Sequence, residues 1–309
     1  MTRPALLTLA AALACVACEP KSDVQRSDAI EVSTADVHHF VDAWHRLDPA
    51  DSTCAPIADY LREESRGLSA YRRKFDVDQR DLCLALRRSP DRYAALEAKL
   101  PALDSIGDEV KSLFAKLALL HKPKRLPAVY FVVGNGIAAG TTTHGAHPII
   151  LVGLELNRSV DNLAGVMAHE LIHTQQEFPF FGSMTGGPSF LRGSLLRHSI
   201  AEGSANFLAE ILTGTPVRNA FGEAHEGELW DAFRRDANGT DYRRWLYNGR
   251  DSVARGPWPP DLGYWIGYRI SKSYYEHAKD KQRAISDILS IRDFPRFLAA
   301  SHYNPTIHE

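Results

Sequence analysis

The chain is short of cysteine, of net charge and of long apolar runs, and each shortage removes a class of function. Four Cys in 309 residues leave no cysteine cluster, and Cys54 and Cys83 lack the close spacing of a zinc ribbon. A formal net charge of -2 gives no case for nucleic acid. The basic runs Arg72-Arg73-Lys74, Arg87-Arg88 and Arg243-Arg244 therefore read as solvated faces. No apolar stretch approaches the roughly 20 residues of a membrane-spanning helix. No internal repeat is present, which sets aside solenoids and propellers.

What is there begins with Ala5 to Ala14, ten mostly apolar residues behind Arg3. That length suits the core of a signal peptide. Cys15 and Cys18 follow, and Val16-Ala17-Cys18 is similar to a lipoprotein processing site. Acylation of Cys18 would anchor the chain to a membrane surface in the cell envelope. By resemblance to bacterial lipoproteins, Glu19 rather than Asp after that cysteine favours outer-membrane sorting, with a periplasm-facing or secreted protein as the outcome. Cleavage and release is the alternative. An oxidising compartment permits a Cys54–Cys83 disulfide, against two free buried thiols.

The densest chemistry lies in His169-Glu170-Leu171-Ile172-His173. Residues four apart stand one turn above each other on a helix, so both imidazoles reach one ion. Zinc takes such nitrogens at about 2.0–2.1 Å, and the Glu between them is placed to act as general base. With 13 His in the chain, the spacing alone also fits a surface helix by coincidence. Context argues otherwise: Ser159 is a fitting N-cap, Asp161 suits the helix start, and Leu163, Val166, Met167 and Leu171 form a buried stripe. Gly165, one turn before His169, leaves room beside the ring.

A tetrahedral zinc needs a third protein ligand. A third His six residues on is excluded, because Gln176 and Pro179 occupy the relevant positions. Glu202 supplies a carboxylate near the start of a helix that ends at Gly214, and Gly203, Ser204 and Ala205 let that helix approach the first closely. Asn206, one turn after Glu202, is placed to accept from the second ring nitrogen of His169 or His173.

The pairing of His169-Glu170-Leu171-Ile172-His173 with Glu202-Gly203-Ser204-Ala205-Asn206 resembles the gluzincin metallopeptidases. It is most similar to a group of bacterial zinc-dependent proteases, many of them predicted lipoproteins. The similarity runs from about Val129 to Tyr303 and includes Gly140-Thr141-Thr142, Gly153-Leu154-Glu155 and Gly263-Tyr264-Trp265-Ile266-Gly267-Tyr268. The resemblance implies that His169, His173 and Glu202 bind Zn2+ and that Glu170 is the general base of a peptidase acting on a peptide or protein substrate. Gluzincins often have Asp where this chain has Asn206; the amide still accepts a hydrogen bond but carries no charge. The oxyanion donor is open among Tyr264, Tyr268, His198 and His225. Related enzymes take such a Tyr or His from a helix after the glutamate ligand, which favours Tyr264, and a packed aromatic beside Trp265 is the competing reading. His198 alternatively caps the Glu202 helix. A catalytically silent zinc-binding envelope protein on the same frame is the second functional class, and the intact Glu170 favours the enzyme.

Pro148 to Gly153 reads as a strand, either an edge for substrate pairing or a buried central strand. Gly140 to Gly145 reads as a mobile loop, with a second metal site at His144 and His147 the lesser alternative. Residues 1–18 form the expected signal segment, 19–33 a flexible tether, 34–125 a helical region and 126–309 a zincin-like domain. The loop from Phe178 to Ser189 is expected to be mobile through Gly182, Gly186 and Gly187. The fold class expected is α+β, mainly helical with a small sheet.

Overall fold

A computed structural model describes residues 30–48, 50–123, 126–157, 159–178, 193–249 and 252–305. The expected signal segment, its Cys18 and the glycine-rich loop after Phe178 lie outside the described residues.

The fold is α+β and mainly helical. Four strands, β1 (Val32–Ser33), β2 (Ala128–Val132), β3 (Gly140–Thr143) and β4 (Ile149–Gly153), form one sheet in the order β1-β2-β4-β3. The helices of eight or more residues are α1 (Ala35–His45), α2 (Ala55–Arg62), α3 (Arg66–Phe75), α4 (Gln79–Arg88), α5 (Ile106–Leu120), α6 (Leu163–Gln175), α7 (Leu195–Thr213), α8 (Glu226–Asp236), α9 (Leu262–His277), α10 (Lys281–Leu289) and α11 (Phe294–Ser301) among the described residues. Val32 and Ser33, inside the segment expected to be a tether, pair with β2.

β1, β2 and β4 run parallel, and β3 returns antiparallel to β4 at the edge. β4 is therefore central, and all five of its residues are buried, as its unbroken apolar run requires. The stretch expected to be a mobile loop, Gly140 to Thr143, is instead the edge strand. Its Thr residues are β-branched and suit extended backbone, whereas glycine on either side made it look like a loop. Successive residues face opposite sides of a sheet. Tyr130 meets α3, where a methyl on Gly67 would lie 2.2 Å from the Tyr130 ring, and Thr142 faces α6. The sheet is thus packed between the N-terminal helices and the motif helix.

Local signals explain the helix ends. Ser65 caps α3 by accepting from Gly67 and Leu68, and Asp78 and Asp81 form a reciprocal box at the start of α4. Ser159 caps a 3-10 turn, Val160–Asn162, that runs into α6. Ser194 caps α7, and Gly214 ends it with φ 73°, a left-handed conformation natural to glycine. His198 lies inside α7, so its expected capping role is taken by Ser194. One hydrophobic core runs from Val37 on α1 to Tyr303 beyond α11.

Candidate metal centre

Helix geometry puts His169 and His173 one above the other on α6, and α7 brings Glu202 against them. The two Nε2 atoms are 2.9 Å apart, and each lies 3.2 Å from Oε2 of Glu202. The outward ring nitrogens are engaged: Nδ1 of His169 meets Oδ1 of Asn206 at 2.8 Å, and Nδ1 of His173 meets Oε1 of Gln176 at 2.8 Å. The Gln176 amide is oriented by its other end, whose Nε2 donates to Ala201 O at 2.8 Å and Ser204 Oγ at 3.1 Å. Both imidazoles then carry their proton on Nδ1 and turn a lone pair inward.

Two imidazole lone pairs and a carboxylate oxygen so close together repel one another unless a metal ion or a proton on one ring lies between them. Tetrahedral zinc at about 2.0–2.1 Å from each ligand holds its ligand atoms about 3.3 Å apart, close to the separations observed. The donor set fits a divalent transition ion, and His169, His173 and Glu202 are the residues that would hold it.

Charge in the protein alone follows the same geometry. Burial works to raise the Glu202 carboxyl, but the adjacent His173 and His169 rings overcome it and hold that group far below the usual carboxylate range. Burial opposes protonation of His173, and Glu202 outweighs it and raises the ring.

Glu170 is buried on α6 beside the cluster. Thr142 Oγ1 donates to Glu170 Oε2 at 2.7 Å and lies 3.1 Å from the Glu170 carbonyl. Gly140 makes this approach possible, since a methyl there would sit 2.9 Å from Oε1 of Glu170. The edge strand and the candidate base are therefore in direct contact.

Of the four donor candidates, Tyr264 is the one stacked on a metal-site ring, 6.2 Å from the His169 centroid. Burial, reinforced by Glu202, raises its phenol well above the ordinary value, so it stays protonated. Tyr268 is directed elsewhere, donating to Glu210 at 2.7 Å. His225 is exposed beside Glu228. His198 is buried, and its Nε2 has no hydrogen-bond partner among the described residues.

Sequence reasoning missed three neighbours. Tyr247 donates to Oε1 of Glu202 at 2.6 Å, the oxygen turned away from the two rings. The residue is 46% exposed, yet its hydroxyl reaches into the site. Gln176, read only as the absence of a third His, orients His173. Lys74, read as part of a solvated run, is half-buried and donates to the Thr142 carbonyl at 2.9 Å. Two spatial expectations are also corrected. Gly203 faces α9 rather than α6, with a methyl there 2.0 Å from Tyr268 N. Gly165 makes no room for His169, because a methyl on it meets nothing within 4 Å.

No family model, curated protein or solved structure matches the chain. The likeness to gluzincins rests on the motif residues themselves.

Proposed function

We propose that the protein is a zinc-dependent hydrolase, and specifically a metallopeptidase. The observation that carries this reading is the convergence of two imidazole lone pairs and Oε2 of Glu202, with the Glu170 carboxylate on the same helix and an edge strand touching that carboxylate. A purely structural zinc site needs neither Glu170 nor the strand.

Zinc held by His169, His173 and Glu202 would supply Lewis acidity, lowering the pKa of water towards about 7 and polarising a carbonyl. Glu170 accepts the proton of the attacking water and returns it to the leaving amine nitrogen, so the amide C–N bond is replaced by a C–O bond with no net proton change. Thr142 fixes one oxygen of Glu170 and leaves the other for this transfer. Tyr264, protonated and stacked on His169, is the donor assigned to the developing oxyanion. An extended peptide adds to the outer edge of β3, which among the described residues pairs with no other strand.

A signal segment anchored through Cys18 would place this apparatus in the cell envelope. The Cys54 and Cys83 sulfurs at bonding distance support an oxidising compartment. The deciding experiment is metal analysis of the purified protein together with peptide-library hydrolysis by wild type and Glu170→Gln. The expected result is about one zinc per chain in both proteins, with hydrolysis lost in the variant by at least about 100-fold. Zinc with no hydrolysis by either protein supports the silent zinc-binding protein instead, and absence of zinc from wild type sinks both.

A further inference from the structure

The outer edge of β3 is not equally open along its length. Gly153 N donates to Ala139 O at 3.0 Å, and the antiparallel register then pairs Thr141 with Leu151 and Thr143 with Ile149. Hydrogen-bonded and non-hydrogen-bonded pairs alternate in such a ladder. Ala139, Thr141 and Thr143 therefore turn their main-chain groups towards β4, and Gly140 and Thr142 turn theirs outwards. Lys74, in the last turn of α3, reaches round this edge. Its Nζ donates to Thr141 Oγ1 and, at 2.9 Å, to the outward carbonyl of Thr142. The ammonium stands where an incoming peptide would otherwise place an N–H.

A chain added to β3 in either direction brings one of its N–H groups opposite that carbonyl. With Lys74 in place, this N–H meets a cation rather than an acceptor, and an unpaired buried donor is costly. A residue without an N–H avoids the conflict. Proline is that residue, and its extended backbone is compatible with an edge position. Burial is the larger influence on the Lys74 ammonium and lowers it below the ordinary lysine value; the Glu170 and Glu202 carboxylates work the other way and favour the charged form, and the two hydrogen bonds to β3 fix its position.

We propose that Lys74 is a specificity-determining residue that selects peptides with proline at the position facing the Thr142 carbonyl. This rests on the peptidase reading and on strand addition at β3. The test uses end-blocked octapeptide pools with proline fixed at each position in turn, incubated with the zinc-containing wild type, Lys74→Met and Lys74→Arg. Cleavage sites are read by mass spectrometry, and zinc content and thermal unfolding report whether each variant is folded. In wild type, proline is expected to be enriched about tenfold at one fixed distance from the cleaved bond. Lys74→Arg keeps a cationic donor and should retain the preference, whereas Lys74→Met should lose it at unchanged zinc content. Cleavage with no proline preference, or an equal preference in Lys74→Met, overturns this assignment and leaves the peptidase reading standing. Absence of cleavage in every pool overturns both. If Lys74→Met fails to fold, loss of wild type's preference when the facing proline is replaced by N-methylalanine overturns it, because that residue equally lacks an N–H.

Discussion

The Glu202 carboxylate is held from both ends. Oε2 of Glu202 faces the two imidazoles and Oε1 accepts from Tyr247, so the tyrosine fixes which oxygen would meet a bound ion. Outer partners of this kind are worth about 10–100-fold in metal affinity. Tyr247→Phe removes only the hydroxyl and is expected to weaken zinc binding by about tenfold or more in competition titrations with a chromophoric chelator, with the fold intact. His198 gives a pH signature. Burial is the main force holding its ring below the ordinary histidine value near 6.5, aided by Arg197 and opposed by Glu202. The unfolded chain therefore binds a proton that the folded chain resists, and stability contributed by neutral His198 is lost as pH falls from about 6.5 towards the lower folded value. The slope of melting temperature against pH between about 7 and 5 should flatten in His198→Leu; an unchanged slope refutes the assignment. His169, Glu170, His173 and Glu202 were legible because they sit at helical spacing on two strong helices. Tyr247 was not, because its place depends on a left-handed backbone, φ 57°, beside the reciprocal Asn248–Asp261 hydrogen bonds. Lys74 lies 67 residues from the Thr141 side chain it touches, and nothing local distinguishes it from Arg72 and Arg73.

Between elements, the site depends on how closely α7 and α9 approach. A methyl on Gly267 would lie 1.6 Å from the Ser199 carbonyl oxygen, and one on Gly203 would lie 2.0 Å from Tyr268 N. Both clashes are with backbone, so relief requires moving a helix. Gly263 and Gly267, four apart, and Ser199 and Gly203, four apart, therefore form one seam between the two helices. Gly203→Ala is expected to destabilise the protein by about 3 kcal/mol or more in denaturant unfolding, outweighing the roughly 1 kcal/mol that alanine gains in a helix. Gly165→Ala is the control on α6: it is exposed and unobstructed, and should be neutral or stabilising. The glycines were visible in sequence, but the helix they faced was not, since spacing gives the face and not the partner. β3 was misread for a related reason. A four-residue edge strand rich in Thr has no burial periodicity, and only its pairing with β4 and the contact of Thr142 with Glu170 identify it.

Across the molecule, the N-terminal helices serve the site from the far side of the sheet. β1 pairs with β2, α3 packs on Tyr130, and Lys74 reaches from α3 to the strand beside Glu170. The sequence reads residues 34–125 as helical, but the docking of these helices depends on contacts distant along the chain. The Cys54–Cys83 link ties this region together: Cys54 precedes α2, Cys83 lies in α4, and α3 with Lys74 falls between them. Both cysteines are buried, their Cα atoms 5.9 Å apart across a sequence separation of 29. In the chain-entropy account, a loop of that size stabilises the folded state by about 3–4 kcal/mol, chiefly by restricting the unfolded chain. The Cys54→Ser, Cys83→Ser double variant should therefore lose about 3–4 kcal/mol in urea unfolding under oxidising conditions. Under reducing conditions wild type should fall to the variant's level, while the variant itself does not respond. A wild type indifferent to reductant would mean that the link contributes nothing to holding α2, α3 and α4 against the sheet.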